Sequence, residues 1–384
     1  MNTVENVVDK AGGVIRYSKD LRIEAIDFAY SKATDATIKK LVGLDSLKAL
    51  DLRETRVSDA GLSYVALLTS LTDLSLPKGV SDLGLQSLGA LTELETLRIY
   101  YAPISDQGVS WFKPLPRLKR LALIGTEVKN LGSLPISLEL LDLSHSKLSP
   151  GSVKSLDRLK SLRALSLADV PLNPADFESI FNLSQLADLI VAGISPASAD
   201  WRFIERLCTL RAINLGRTNI MNSDLHAVES LHDLEKLSLI FATGINDDGM
   251  RHIASLKKLR SLNLSGTHVT DGGLRHLQSL TDLESLEMEH TSIDGSGLQY
   301  LRGARGLKSV KFRRTKFADE SCRYFTPFDK LVNIDISNTE VTDVGLEHIN
   351  PRLKLEELRI RQTRVTGHGV ESLRSRFPKA TIWN

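Results

Sequence analysis

Residues 259–282 read LRSLNLSGTHVTDGGLRHLQSLTD and carry two hydrophobic spacings in succession. The leucines at positions 1, 4 and 6 of this stretch fit a short strand with one buried face, whereas those at 16, 19 and 22 fit an amphipathic helix. A unit of this size cannot bury both apolar faces alone, so it must stack on copies of itself.

The pattern LxxLxLxxTxVTDxGLxxLxxLxx recurs along the chain and defines fifteen repeats. Successive repeats are 24 residues apart, with departures of 23 before Leu94, 20 before Leu138 and 25 before Leu259. Because a solenoid grows by adding repeats, we expect one continuous domain instead of several globular ones. The repeats begin at Ile23, Leu47, Leu71, Leu94, Leu118, Leu138, Leu162, Leu186, Leu210, Leu234, Leu259, Leu283, Leu307, Leu331 and Leu355.

Many repeats also share a TDxGL ending, as in VTDGGL at residues 269–274 and VTDVGL at residues 341–346. The chain resembles leucine-rich repeat proteins over roughly residues 23–379. The ending resembles their bacterial TDxGL subtype, which is related in pattern to the cysteine-containing repeats of F-box proteins. The resemblance implies an α/β solenoid with a curved parallel sheet on the concave face and helices or short turns on the convex face. It also implies a role in protein–protein recognition and implies no catalytic activity.

The two ends of the chain depart from the repeat. Residues 1–22 lack the motif, and we expect them to form an N-terminal cap with a helix at residues 4–10 and a strand at residues 14–17. The repeats then occupy residues 23–378, and residues 379–384 form a C-terminal capping strand in which Trp383 shields the end of the core.

Polar positions within the repeat have structural explanations. Ser or Thr followed by Asp at positions 12 and 13 offers oxygens to the free amides of the next helix, so we interpret these pairs as helix caps. A threonine at position 9 can bond the turning backbone. These threonines are Thr55, Thr126, Thr218, Thr267, Thr291, Thr315, Thr339 and Thr363.

The block at residues 118–209 loses the TDxGL ending. It carries Pro171, Pro174 and Pro196 in the outer connections, and proline disfavours helix. We therefore predict extended or single-turn segments there. Whether the block is a binding notch, a hinge or neutral drift stays open.

Charge, cysteine content and the lack of long apolar runs indicate the kind of partner and the compartment. The net charge is +2, but residues 300–384 hold 17 Lys or Arg against 10 Asp or Glu, a net of +7. Of the two cysteines, Cys322 falls at a core position and no cysteine cluster flanks the repeats, which favours a reducing compartment. The first residues are too polar for a signal peptide, and no apolar run is long enough to span a bilayer. We expect a cytoplasmic protein without membrane contact.

No catalytic motif or metal-spaced Cys/His set is visible, so we predict a protein that is not an enzyme and needs no cofactor. The remaining alternative is an acid–base or metal site at Glu287, Glu289 and His290.

Recognition must then use side chains that point out of the concave sheet, at positions 3, 5, 7 and 8. Most of these are small, but three groups are aromatic, apolar or basic where solvent favours small polar residues. The candidate partner-binding residues are Arg98, Tyr100, Tyr101 and Ile124, then Ile240 and Phe241 with Ile190 nearby, and then Lys311, Arg313, Arg314, Arg359 and Arg361. The alternative for each group is a structural role: the tyrosines pack sideways on neighbouring strands, the 25-residue repeat tucks Phe241 in, and the basic residues pair with Glu287, Glu289, Asp335 and Glu357.

The sequence thus favours a monomeric scaffold that binds another protein on the concave face. The first alternative is binding of a polyanion or nucleic acid through the basic C-terminal third, although neutral overall charge and the lack of a known module count against it. The second is an adaptor or effector of a ubiquitin-type system, although 22 residues are too few for an F-box. The third is a spacer that only supports other parts or associates edge to edge.

Overall fold

The computed structural model describes residues 3–194 and 200–384. They form two compact units, Met1–Leu186 and Ala187–Asn384, which we describe separately. Each unit is a stack of repeats with a strand on one side and short helical segments on the other.

In the first unit each repeat contributes one strand, and its pairing follows the leucine register. Leu50 pairs with Leu74, and Leu74 with Leu97, so equivalent repeat positions lie side by side. Strand β1 is antiparallel to β2, and the later strands pair in parallel with the next in sequence. The strands are β1 (Val14–Tyr17), β2 (Ile23–Asp27), β3 (Ala49–Asp51), β4 (Asp73–Leu76), β5 (Thr96–Tyr100), β6 (Arg120–Ile124), β7 (Leu140–Asp142) and β8 (Ala164–Ser166).

Within the second unit the strands are parallel and in sequential order, and the leucines again pair with one another. Leu262 pairs with Leu237 and with Leu286. The strands are β9 (Asp188–Ile190), β10 (Ala212–Asn214), β11 (Lys236–Ser238), β12 (Ser261–Asn263), β13 (Ser285–Glu287), β14 (Ser309–Lys311), β15 (Asn333–Asp335), β16 (Glu357–Arg359) and β17 (Thr381–Trp383).

The helical side consists of short α-helices and 3-10 segments of three to nine residues. The α-helices are α1 (Thr3–Ala11), α2 (Asp35–Lys39), α3 (Asp59–Val65), α4 (Asp82–Leu85), α5 (Asp106–Ser110), α6 (Pro174–Phe181), α7 (Met250–Ile253), α8 (Asp271–Leu274), α9 (Asp343–Glu347) and α10 (Gly367–Arg376). The 3-10 segments are Gln86–Ala90, Ser152–Arg158, Trp201–Arg206, Asn222–Ser230, Asp247–Gly249, Arg275–Leu277, Ser296–Leu301, Asp319–Phe325.

The hydrophobic spacing of the repeat is confirmed by burial. In the repeat that starts at Leu259, the leucines at positions 1, 4, 6, 16 and 19 are 0% exposed. Cys322 is likewise fully buried, and burial raises the pKa of its thiol to about 12. The helix and strand expected near the N-terminus are present as α1 and β1, while the division into cap, repeats and closing strand stays a prediction.

The prediction for the proline-containing block is wrong at one point. Pro174 begins α6, one of the longer helices, because the first helical position needs no amide donor. Asn173 caps that helix by accepting a hydrogen bond from the amide of Asp176 at 2.9 Å. Elsewhere the block has 3-10 turns or irregular chain, as expected, and Pro196 lies outside the described residues.

The threonines at position 9 bond the turn as predicted. The hydroxyl of Thr267 donates to the carbonyl of Leu264 at 2.6 Å, three residues back. The same bond, also to the residue three places earlier, is made by Thr55, Thr126, Thr218, Thr291, Thr315, Thr339 and Thr363.

The Ser/Thr-Asp pairs do more than cap their own helices. The Ser81 hydroxyl accepts from the Leu83 amide at 3.3 Å, which is the predicted cap, whereas the predicted cap at Ser58 is wrong because its side chain makes no such bond. The aspartate, however, bonds to the next repeat: Asp59 accepts from the backbone N–H of Ser81 at 2.8 Å and from its hydroxyl at 2.6 Å. We call this contact the carboxylate bridge. Among the described residues it joins Asp35 to Ser58, Asp59 to Ser81, Asp82 to Ser105, Asp247 to Thr270, Asp319 to Thr342 and Asp343 to Thr366.

The carboxylate bridge explains the glycine in TDxGL. A Cβ on Gly84 would lie 2.3 Å from Oδ1 of Asp59, closer than atoms can approach. The same close approach to the preceding aspartate occurs at Gly61, Gly108, Gly273, Gly345 and Gly369. Asp and Gly of the motif therefore act across neighbouring repeats.

Candidate recognition surface

Repeat position 8 follows each strand and has an unusual backbone conformation. In fourteen of the fifteen repeats this residue has a positive φ, which side chains other than glycine seldom adopt. The turn lets its amide donate to the position 7 carbonyl of the next repeat, as from Tyr101 to Ile124 and from Phe241 to Ser265, both at 2.7 Å. In each unit these residues form a row, and we call the two rows the position-8 ridge. It comprises Tyr30, Glu54, Tyr101, Gly125, His145, Asp169, Gly193, Arg217, Phe241, Gly266, His290, Arg314, Asn338 and Gln362, with Lys78 at the remaining place.

In the first unit the predicted aromatic group divides. Tyr101 is 62% exposed and lies over Gly125, with its ring 6.2 Å from that of His145. Tyr100 pairs with Ile124 across the sheet, and its ring faces Arg53 at 5.9 Å. Tyr100 and Tyr101 therefore turn towards opposite neighbours.

Arg98 is held by an acidic neighbour. Its guanidinium makes two hydrogen bonds to the carboxylate of Asp73, at 2.6 and 3.2 Å. This charge is therefore partly neutralised within the protein, so Arg98 contributes less to a binding surface than its sequence position suggests.

Ile240 and Phe241, the apolar pair of the second unit, also turn towards opposite neighbours, as Tyr100 and Tyr101 do. Phe241 is 45% exposed and lies over Gly266, with its ring 6.0 Å from His290. Ile240 leans in the other direction, onto Gly216. Ile190 is 37% exposed at the end of β9.

The two units thus repeat one arrangement along the position-8 ridge. An exposed aromatic side chain is followed in the next repeat by a glycine and in the repeat after that by a histidine. A Cβ on the glycine would lie 2.4 Å from the Tyr101 ring at Gly125, and 2.1 Å from the Phe241 ring at Gly266. The glycine therefore makes room for a ring that packs against the next repeat and stays partly exposed to solvent.

The predicted basic group divides into residues that form ion pairs and residues that do not. The Lys311 ammonium pairs with Glu287 at 2.7 Å, and Arg359 pairs with Glu357 at 2.8 Å. Both are therefore compensated internally. Among the described residues, Arg313, Arg314 and Arg361 form no such ion pair.

Trp383 was missed as a candidate surface residue. It is 41% exposed instead of shielding the core, so that expectation is wrong. The reason is register: Trp383 pairs with Arg359 and so occupies position 5, whose side chain points away from the core. Its indole N–H donates to Glu357 at 2.8 Å, and Arg361 lies 5.0 Å from the ring centre. Counting 24 residues from Arg359 would have found it.

A cavity of about 780 Å³ opens beside this tryptophan. Its lining includes Arg313, Arg359, Arg361, Asp335 and Trp383. We call it the arginine pocket.

The residues suggested for acid–base or metal chemistry are engaged in other contacts. Glu287 accepts hydrogen bonds from Lys311 at 2.7 Å and from Asn263 at 2.9 Å, while His290 faces Phe241. Burial raises the pKa of Glu289, with repulsion from Asp335 adding to the effect. Within residues 3–194 and 200–384, no group of three His, Cys, Asp or Glu is placed to hold a metal ion.

No helix in the described part of the chain combines the length and apolar character needed to cross a bilayer.

The comparisons with known proteins agree with the repeat architecture. A family model described as "Leucine Rich repeat" matches residues 45–66 and 255–277. Together with the one-strand repeats and their buried leucines, this match decides the fold. The fold is a leucine-rich repeat solenoid. No curated protein gives a significant match.

Solved structures share the fold at low sequence identity. A leucine-rich repeat protein from Leptospira interrogans is 20% identical with a TM-score of 0.62, and the match covers 99% of this chain and 98% of that one. Mouse RP105, solved in complex with MD-1, is 17% identical with a TM-score of 0.60, covering 94% and 71%. TLR13, solved with the RNA ssRNA13, is 17% identical with a TM-score of 0.51, covering 94% and 61%.

Proposed function

We propose that this leucine-rich repeat chain is a non-enzymatic scaffold that binds another protein along the concave face and the position-8 ridge. The leucine-rich repeat fold is typical of protein–protein recognition scaffolds. The concave face consists of the side chains at repeat positions 3, 5 and 7, and the position-8 ridge lies beside it. The bacterial TDxGL subtype, the cytoplasmic location and the monomeric state are parts of the same proposal and rest on the sequence pattern.

The observation that carries the proposal concerns two of the exposed aromatic side chains on the ridge. Tyr101 and Phe241 each lie over a glycine whose missing Cβ leaves space for the ring. Large aromatic side chains are enriched among the residues that dominate binding energy, and a ring that packs against a neighbouring repeat has fewer conformations to lose when a partner covers it.

Affinity capture with a matched control tests the proposal. The test variant carries Tyr101→Ser and Phe241→Ser, and the control carries Leu83→Ser. Leu83 lies on α4 and is 75% exposed, so its loss removes exposed apolar surface from the helical side. We expect the test variant to lose a partner that the wild type and the control retain, and to bind that purified partner at least about tenfold more weakly, the value for 1.4 kcal/mol.

Retention of the same partners with unchanged affinity by the test variant would show that these rings are not the contact. Loss of the partner only in the Leu83→Ser control would place the interface on the helical side. Circular dichroism of both variants confirms that folding is preserved.

A further inference from the structure

The arginine pocket is lined by two arginines, Arg313 and Arg361, that form no ion pair with any described residue. Asp335 accepts a hydrogen bond from the amide of Ser337 at 2.9 Å and is only 7% exposed. Glu357 is occupied by Arg359 and by the indole of Trp383. Among the described residues Arg313 and Arg361 form no ion pair, although Arg313 attracts Glu289 electrostatically, and both arginines line the cavity.

The two arginines are already positioned by neutral neighbours. The Nε of Arg313 donates to Oδ1 of Asn338 at 3.4 Å, and Arg361 lies 5.0 Å from the centre of the Trp383 ring. Such contacts orient a guanidinium without neutralising it. A guanidinium binds a carboxylate through two parallel hydrogen bonds, and these are among the stronger ones in proteins.

The spacing of the arginines fits an extended segment. They occupy position 7 in repeats whose strands, β14 and β16, are two places apart in the sheet. Two strand separations amount to about 10 Å, which is close to the rise of three residues in an extended chain. Two acidic residues two or three places apart would therefore reach both arginines. A cavity of about 780 Å³ has room for a few side chains.

Charge complementarity favours an acidic peptide over a nucleic acid. A continuous phosphate backbone needs a continuous basic track. Here the same face presents Glu287, Glu289 and Glu357 between or beside the basic residues. Those carboxylates would repel a long polyanion but leave the local site at Arg313 and Arg361 open.

We propose that the arginine pocket binds an acidic segment of a protein partner, with carboxylates on Arg313 and Arg361 and an apolar side chain against Trp383. This proposal rests on the function proposed above and names the chemistry that one part of the surface recognises. The indole N–H is already bonded to Glu357, so the Trp383 ring offers an apolar wall.

Selection from a displayed random-heptapeptide library tests the proposal on the full chain. The pocket variant carries Arg313→Glu and Arg361→Glu. The control carries Arg302→Glu and Arg305→Glu, which change the net charge equally at exposed sites outside the pocket lining. We expect wild-type selection to enrich peptides with two Asp or Glu residues two or three places apart. Their affinity, measured by fluorescence anisotropy, should fall at least about tenfold in the pocket variant and less than about twofold in the control.

A Trp383→Ala variant adds a second measurement. It should weaken binding of those acidic peptides that also carry an apolar residue and leave the purely polar ones unaffected. Circular dichroism establishes that each variant is folded.

Selected peptides without acidic residues, no enriched peptides at all, or equal loss of affinity in the control would each overturn the pocket proposal. Salt-sensitive binding of a single-stranded oligonucleotide that depends on Arg313 and Arg361, with no binding of acidic peptides, would replace it with nucleic-acid recognition. Non-acidic peptides whose binding is lost with Tyr101→Ser would overturn the pocket while leaving the broader function standing.

Discussion

Asp59 and Gly84 should be energetically coupled although they belong to different repeats. Asp59→Ala removes the acceptor for the amide and hydroxyl of Ser81, at 2.8 and 2.6 Å. Hydrogen bonds to a charged group contribute roughly 1.5–3 kcal/mol each when buried, and this carboxylate is half-buried. We expect a loss of about 2–3 kcal/mol in the free energy of unfolding.

Gly84→Ala should depend on whether Asp59 is present. In the wild type the new Cβ would lie 2.3 Å from Oδ1 of Asp59, so the carboxylate must move and release Ser81. After allowing for the better helix propensity of alanine, we expect a net loss of about 1–2 kcal/mol. Without the carboxylate, only the flexible end of Leu62 is close, at 3.0 Å, and the same substitution should stabilise by about 0.5–1 kcal/mol.

Urea unfolding of the wild type, both single variants and the double variant, followed by circular dichroism, measures this coupling. The account predicts a coupling energy of about 2 kcal/mol, with the double variant more stable than Asp59→Ala alone. If Gly84→Ala had the same effect in both backgrounds within about 0.5 kcal/mol, the explanation of the TDxGL glycine would be refuted.

Three further predictions concern single sites. Gly266→Ala should reduce the free energy of unfolding in urea by about 1–2 kcal/mol, because the residue has φ +70° and a Cβ there would meet the Phe241 ring. The control Gly306→Ala should have little effect, because a Cβ there would make only an ordinary contact. The Thr366 hydroxyl donates to Asp343 and lowers the pKa of that carboxyl, so Thr366→Val should raise this pKa in an NMR titration. The stability that the bond provides is present above the ordinary carboxyl pKa and is lost as the pH falls. An unchanged pKa of Asp343 would contradict the bond. At pH 8 iodoacetamide should label the exposed Cys208, while Cys322 should react only after unfolding, and equal labelling rates would be inconsistent with its burial.

The sequence was sufficient to predict the strands and the core because one leucine spacing controls both. Leu262 pairs with the leucines of the neighbouring repeats and is fully buried, as its place in the pattern requires. Repeat register also places side chains on one side of the sheet or the other. Trp383 shows that the rule extends to β17, where pairing with Arg359 turns the indole away from the core.

The coupling between repeats was harder to predict, although the sequence contains a signal for it. Asp343 at position 13 is followed by Gly369 at position 15 of the next repeat, and Asp319 by Gly345. Where position 13 is Gly295 instead, the next repeat has Ser321. The change of both residues together reflects the space that the aspartate occupies.

The directions of the surface side chains could not be predicted from alternation alone. Position 8 adopts a left-handed conformation even where it carries Tyr101, Phe241 or His290, residues that give little local indication of it. As a result, adjacent residues such as Tyr100 and Tyr101 turn to opposite sides. The ion pairs of Lys311 and Arg359 likewise depend on which acidic side chain of a neighbouring residue or strand comes within reach.

Site-specific photo-crosslinking would show which side of the repeats contacts the partner. An aromatic benzophenone side chain is introduced separately at Tyr101, at Phe241 and at Leu83, and each protein is irradiated with the captured partner. The account predicts crosslinks from the position-8 ridge, at residue 101 or 241, and none from residue 83 on the helical side. Crosslinking from residue 83 with none from 101 or 241 would contradict it.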